Sequence, residues 1–176
     1  RTRYDGDFTT PSTRQSIQWP GNYGGFNWGR AALDQERNLL IVNDIRMPLT
    51  TQLVPRDEIP AGTDFSQPHG GFSEQRGTPF AIRLGEFMSP IGFPCLAPPM
   101  GMITAIDLAT RQVVWQIPAG TMGDLFGVPL YVGMPTMGGP MVTRGGLVFF
   151  AGTQDYFLRA MDVETGQILW QGRLPV

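Results

Sequence analysis

With 176 residues, 41% of them hydrophobic and 11% aromatic, the chain has the composition of a globular domain large enough to bury a core rather than of a disordered segment. Its 13 basic and 15 acidic side chains give a formal charge of -2, and Arg14, Arg30, Arg37 and Arg46 are scattered among acids, which excludes the basic patch that nucleic acid demands. A lone cysteine, Cys95, excludes an internal disulfide, and no run approaches the roughly 18 apolar residues of a membrane-spanning helix.

The chain opens at Arg1 without a signal-peptide pattern and stops at Val176 just after a strand pattern, so both ends read as cuts in a longer sequence. Its 23 glycines and 16 prolines, set among many strand formers, predict short strands joined by frequent turns. Residues 1–25 read as the approach from an earlier structural repeat. Strands follow at 27–33 and 38–43. From 44 to 100 runs a long insertion, rich in Pro and Gly and read as irregular, of a length that usually carries function or disorder. Further strands are predicted at 101–107, 113–117, 140–143, 147–151, 157–161 and 167–171. Arg144-Gly145-Gly146 and Gly152-Thr153-Gln154-Asp155 supply the turns between the first three strands of the last group.

A repeat organises these strands. The eleven residues from Ala105 to Trp115 align with those from Ala160 to Trp170, with Ala, Asp, Thr, Gln and Trp in register and the two tryptophans 55 residues apart. Periods near 40–50 residues belong to propeller blades. Asp-x-x-Thr-Gly is turn chemistry, in which the Asp and Thr side chains bond local backbone and Gly supplies positive φ. Arg111 stands where the second copy has Gly166, so the first turn is expected to be distorted or of another type. The closing Trp is suited to packing between adjacent blades with its N–H satisfied. A chance pair of similar hairpins is the plainer alternative. The fold class that follows is all-β: a β-propeller fragment of about two four-stranded antiparallel blades, one over 26–117 interrupted by the 44–100 insertion, the other over 118–176.

Several stretches resemble bacterial quinoprotein dehydrogenases. They include Gly133-Met134-Pro135-Thr136-Met137-Gly138-Gly139-Pro140, the run from Thr143 to Asp155, Leu158-Arg159-Ala160, and Ile168-Leu169-Trp170-Gln171-Gly172-Arg173-Leu174-Pro175. Phe26-Asn27-Trp28-Gly29, Val42-Asn43-Asp44-Ile45-Arg46 and Gly92-Phe93-Pro94-Cys95-Leu96-Ala97-Pro98-Pro99 look like the same family. The chain thus resembles the C-terminal part of the membrane-bound glucose/quinate/shikimate dehydrogenases that use pyrroloquinoline quinone (PQQ). The resemblance implies an eight-bladed propeller holding PQQ with a calcium or magnesium ion near its channel. It also implies an aspartate that takes the substrate hydroxyl proton, hydride passing to the quinone and electrons passing on to ubiquinone. The parent enzyme would face the periplasm from the bacterial inner membrane, anchored by an N-terminal membrane domain, and would take a sugar, polyol or cyclic hydroxy acid. The family's metal ligands and catalytic aspartate come from earlier blades, so the resemblance assigns no catalytic residue and no metal ligand to this chain, which is expected to be inactive alone.

Cofactor contacts are assigned to Asn27, Trp28, Gly138 and Gly139. Asn27 matches the family's Asn-Trp motif at the start of an inner strand, where a carboxamide can both donate to and accept from quinone oxygens; a turn-capping Asn after Gly24-Gly25 is the alternative. Trp28 walls the pocket or packs between blades. Met137, Gly138 and Gly139 lead into the next inner strand, where glycine lets backbone approach the quinone or merely fits a crowded channel. Asn43-Asp44 offers hard oxygen ligands for calcium, but Asp44 reads better as the residue that opens a loop. His69, the only histidine, lies in loop composition and cannot build a zinc site by itself. Cys95, among prolines and apolar residues, reads as a buried inert thiol. No phosphate-binding loop motif is present, and no C-x-x-C-H motif supports the haem-bearing alcohol dehydrogenases. Residues 48–56 suit quinate-type and glucose-type members equally. A non-catalytic scaffold propeller with Trp-bearing repeats is the rival reading; Asn27-Trp28 and the long insertion favour the enzyme.

Overall fold

A computed structural model describes residues 2–29, 31–66, 70–123 and 130–175. It contains twelve strands among those residues: β1 Ser16–Gln18, β2 Ala32–Asp34, β3 Leu39–Ile45, β4 Leu49–Pro55, β5 Gly71–Ser73, β6 Phe80–Glu86, β7 Gly101–Asp107, β8 Gln112–Pro118, β9 Met141–Val142, β10 Leu147–Phe150, β11 Phe157–Asp162 and β12 Ile168–Arg173. They form three four-stranded antiparallel sheets. The chain divides into two compact units, Arg1–Gly24 with Met47–Leu96, and Gly25–Arg46 with Ala97–Val176.

The first unit holds one sheet in the order β1-β4-β6-β5. Its long pair runs from Leu49 opposite Glu86 to Pro55 opposite Phe80. Leu49, Val54 and Ala81 are buried, with Val54 directly opposite Ala81 on one face and Leu49 on the other. Arg56 ties the end of β4 to the turn before β6 by donating to the carbonyls of Thr78, Glu74 and Gln75, each at 2.7 Å. The 44–100 stretch, expected to be irregular, therefore carries three strands. Thr50, Thr51, Val54 and Ile82 favour extended chain, but Pro48, Pro55 and Pro79 flank these runs and masked the signal.

The second unit holds two meanders, β2-β3-β7-β8 and β9-β10-β11-β12, each with its strands in chain order. This is the layout of propeller blades. In β3 the burial alternates along Leu39, Ile41, Asn43 and Ile45, the period of a strand with one face in the core. Leu39, Ile41, Ile103 and Ala105 of one sheet pack with Val148, Phe150, Met161 and Val163 of the other in a single cluster that also contains Trp115. The indole of Trp115 is 8% exposed and its Nε1 donates to the Val163 carbonyl at 2.9 Å. A Cβ on Gly166 would lie 2.7 Å from the Trp115 ring, so only glycine lets the turn sit on the indole. Both repeats also carry a register shift opposite the tryptophan, between Ala105 and Ile106 and between Ala160 and Met161, which leaves one extra residue, Val114 or Leu169, just before the ring. A bulge of this kind re-aims the side chain that follows it.

The Asp turn occurs three times. Oδ1 of Asp107 accepts from the N–H groups of Ala109 and Thr110, Oδ1 of Asp162 from Glu164 and Thr165, and Oδ1 of Asp34 from Glu36 and Arg37. Four residues after each Asp the chain takes positive φ: Arg111 at 60°, Gly166 at 72° and Asn38 at 56°. Arg111 thus does not change the turn type, contrary to expectation; its backbone is driven into the conformation that Gly166 adopts freely. The first strand of the unit also begins at Ala32 rather than at residue 27, because residues 27–29 form a turn.

Two outcomes follow. A left-handed conformation costs an L-residue about 1 kcal/mol, so Arg111→Gly should raise the unfolding free energy by about that amount in urea titrations. Trp115→Ala, which removes both the buried ring and its hydrogen bond, should cost about 3–5 kcal/mol in the same measurement, far more than Trp170→Ala at a ring that is 53% exposed.

Candidate functional site

The four residues assigned to a cofactor come together in the second unit. Asn27 lies in the turn before β2, and its Oδ1 accepts from the Trp28 N–H at 2.8 Å. Its Nδ2 donates to the sulfur of Met137 at 3.2 Å. Met137 directly precedes Gly138 and Gly139, and a Cβ on Gly29 would lie 2.6 Å from both the Met137 carbonyl oxygen and the Gly139 nitrogen. The 27–29 turn and the 137–139 segment therefore touch backbone to backbone. Gly138 is pressed in turn against Gly152, whose own Cβ would stand 2.7 Å from the Gly138 oxygen. Of the two readings for these glycines, the contacts within the unit are those of crowding. Trp28 is 75% exposed.

Why the 134–139 segment lies there is a matter of hydrogen bonds. The Met134 N–H donates to Ala119 at 2.6 Å, and the Met137 N–H to Gly152 at 3.2 Å. Between them Thr136 is wholly buried; its hydroxyl accepts from Asn43 Nδ2 at 2.8 Å and donates to the Asp44 carbonyl at 3.3 Å. A Cβ on Gly101 would lie 2.0 Å from the Met134 oxygen, which fixes glycine at the start of β7. Asp44 belongs to β3 rather than opening a loop. Its carboxylate accepts from Arg46 Nη2 at 2.8 Å, from Arg46 Nε at 3.0 Å and from the Met102 N–H at 3.2 Å.

Beneath this segment lies a buried ion pair that the sequence reading did not single out. Asp155 is 1% exposed and Arg159 3% exposed. Asp155 Oδ1 accepts from Arg159 Nη1 at 3.1 Å and from the Thr153 hydroxyl at 2.6 Å, while Oδ2 accepts from Arg159 Nη2 and from the Thr121 N–H at 2.8 Å. Burial alone pushes the Asp155 carboxyl up, but the hydrogen bonds from Arg159, Thr153 and Thr121 outweigh it and hold the pKa below its ordinary value. Two signals pointed to the pair: an Arg at an alternating position of the strand pattern Leu158-Arg159-Ala160, and an Asp four residues before it.

Other candidates part from expectation. Cys95 is exposed, not buried. It lines a groove of about 390 Å³ in the first unit, together with Tyr4, Trp19, Phe87 and Leu96. His69 lies outside the described residues. Among the described residues no three His, Cys, Asp or Glu side chains form a group that could hold a metal ion. The surface of residues 27–29 and 137–139 suits a flat, oxygen-rich cofactor. The broad indole face of Trp28 is exposed beside a glycine shelf without side chains, and the Asn27 amide is held against a thioether, a weak acceptor that a ligand oxygen outcompetes.

The ion pair sets a pH dependence. A carboxyl whose folded pKa lies below its unfolded value stabilises the fold above the unfolded value, and that stability disappears as pH falls through the folded pKa. Unfolding free energy should therefore be flat from neutral pH to near the ordinary aspartate value of 3.8 and fall below it. Asp155→Asn should lower the plateau and flatten the fall, as read by urea titrations at stepped pH.

The glucose/ethanol/alcohol dehydrogenase β-propeller model of the PQQ family matches residues 1–176. The quinate/shikimate dehydrogenase (quinone) of Acinetobacter baylyi is 48% identical over 185 residues, covering 99% of this chain and 23% of the relative. The quinoprotein glucose dehydrogenase of Escherichia coli is 40% identical over 184 residues, covering 98% of this chain and 23% of the relative. Among solved structures, a europium-containing methanol dehydrogenase superimposes with a TM-score of 0.53 at 23% identity, over 88% of this chain and 21% of that one, a likeness of fold. The chain thus spans about a quarter of the length of the curated relatives it matches.

Proposed function

The chain belongs to the PQQ family of glucose/ethanol/alcohol dehydrogenase β-propellers, and from that membership we propose that it supplies two neighbouring blades to a quinoprotein dehydrogenase. The substrate is a small molecule with a CH–OH group: a cyclic hydroxy acid such as quinate or shikimate, with polyols and glucose as the other class. The observation that carries this reading is the 48% identity to a quinate/shikimate dehydrogenase across 99% of the chain, against 40% to a glucose dehydrogenase. The acceptor is a membrane quinone, ubiquinone, and the protein works at the periplasmic side of the bacterial inner membrane. An accompanying calcium or magnesium ion takes its ligands from residues outside this chain.

Bound PQQ supplies the two-electron acceptor for alcohol oxidation. The residues of this chain bind and orient it. Trp28 offers its exposed face for stacking, and Asn27 donates its amide N–H to a cofactor oxygen in place of the Met137 sulfur. Gly138 and Gly139 keep side chains off the shelf, so backbone can approach the plane of the ring. These parts fix the position of an acceptor and exclude water from its face; the substrate proton is left to a base elsewhere in the protein.

The test is expression of the whole protein, reconstitution with PQQ and calcium, and dye reduction with quinate, shikimate, glucose and glycerol. Turnover should require PQQ and be fastest with quinate or shikimate. Loss of a hydrogen bond to a charged ligand costs about 1.5–3 kcal/mol, so Asn27→Ala should raise the PQQ concentration needed for half-activation by roughly 10-fold to 100-fold. Absence of PQQ-dependent turnover with all four substrates would refute the proposal.

A further inference from the structure

We propose that the buried Arg159–Asp155 pair is a positioning device for the cofactor shelf, clamping the 134–139 segment at both ends and through it setting the Asn27 amide and the Gly138–Gly139 backbone. The inference rests on the assignment of those residues to PQQ.

The geometry is that of one carboxylate holding two supports. At its upstream end the segment is held by the Met134 N–H on the Ala119 carbonyl. Ala119 lies two residues before Thr121, whose N–H donates to Asp155 Oδ2 at 2.8 Å and whose hydroxyl approaches the same oxygen at 3.4 Å. At its downstream end the segment is held by the Met137 N–H on the Gly152 carbonyl, and Gly152 directly precedes Thr153, whose hydroxyl donates to Asp155 Oδ1 at 2.6 Å. Arg159, on β11, secures both carboxylate oxygens from below and donates to the Thr153 hydroxyl as well, at 3.2 Å. Gly120, between the two supports, has φ +84°, and a Cβ there would meet Thr153 at 2.9 Å and Asp155 Oδ2 at 3.1 Å. The clamp has room for these parts and nothing more.

From the clamp the placement passes on by contact. The Met137 carbonyl and the Gly139 nitrogen are the surfaces against which Gly29 is pressed, and before the cofactor binds the Met137 sulfur also receives the Asn27 amide. A shift of the 152–155 turn therefore moves Met137, and with it the 27–29 turn. An ion pair this deeply buried loses the hydration of both charges and is a weak source of stability, which leaves the fixing of one geometry as its stronger effect. Asp155 and Arg159 do not touch the cofactor; they act through Thr121, Thr153, Gly152 and Met137.

The experiment uses the whole protein in its apo form, titrated with PQQ and followed by quenching of intrinsic fluorescence, so that binding is read without turnover. Four variants are compared with wild type: Asp155→Ala, Thr153→Val, Asn27→Ala and, as a control for lost stability, the core substitution Val148→Ala, at a side chain that is fully buried. Networks of this kind couple sites by amounts that correspond to roughly 3-fold to 30-fold in affinity, so Asp155→Ala should weaken PQQ binding by about that factor. Val148→Ala, in the core cluster and outside the clamp contacts, should leave it within about twofold even where its Tm falls as far. Thr153→Val keeps the side-chain shape while cutting one link of the clamp, and should weaken PQQ binding in the same direction should Asp155→Ala fail to fold. Equal weakening by Asp155→Ala and by Val148→Ala at matched Tm loss, or unchanged affinity in both clamp variants, overturns the positioning role. Wild-type affinity in Asn27→Ala means the assignment of the site is wrong and the inference falls with it. Weakening in Asn27→Ala without weakening in the clamp variants leaves the site standing and removes only the clamp.

Discussion

The second unit depends on one docked ring. Trp115 lies midway along the fourth strand of one meander, and its indole fills the gap against the turn of the next, with its N–H on the Val163 carbonyl and its face on Gly166. A tryptophan buries more apolar area than any other side chain and carries one polar group that must be satisfied. Here the same neighbour supplies both the surface and the acceptor. The cluster around Ile41, Ile103, Val148, Phe150 and Met161 packs together with the ring. The strand bulge ahead of the ring aims it, which is why Ala105 pairs with Trp115 although Ile106 pairs with Val113.

The turns that present these strands share one chemistry at three places. An Asp at the end of a strand takes two backbone N–H groups, and the chain then passes through a left-handed residue into the next strand. Hydrogen bonds hold all three turn carboxyls below their ordinary values. At Asp34 burial pushes the carboxyl up, but the N–H and guanidinium of Arg37 and the Glu36 N–H outweigh it. At Asp107 the donors are the Thr110 and Ala109 N–H groups, and at Asp162 the Thr165 hydroxyl leads, with the Thr165 and Glu164 N–H groups. Glycine, asparagine and arginine all occupy the left-handed position, so side-chain hydrogen bonding by the Asp dominates and the identity of the fourth residue only tunes the cost.

At the site, the governing fact is close approach of backbone to backbone. Gly29 against Met137 and Gly139, Gly138 against Gly152, and Gly101 against Met134 leave no space for a Cβ. Such packing presents backbone rather than side chains beside Trp28. The family to which the chain belongs uses a flat, rigid cofactor, and a rigid shelf suits it.

The sequence by itself determined the all-β class, the two meanders of the second unit and the Trp repeat, because strand periodicity, turn residues and a large aromatic at a fixed spacing are local signals. Asn27, Trp28, Gly138 and Gly139 were assigned to a cofactor by family motifs, which carry no information on the contacts their segments make. Only the tertiary structure decided that Arg111 follows the path of Gly166, since the Asp107 hydrogen bonds override the preference of the residue. It alone decided that residues 16–18, 49–55, 71–73 and 80–86 build a sheet of their own, because prolines beside short strands hide them from pattern. It alone decided that Cys95 is exposed, that Asp44 pairs with Arg46, and that Asp155 and Arg159 are buried together. Burial and pairing of charges depend on what the rest of the chain brings over them, and no window of sequence contains that.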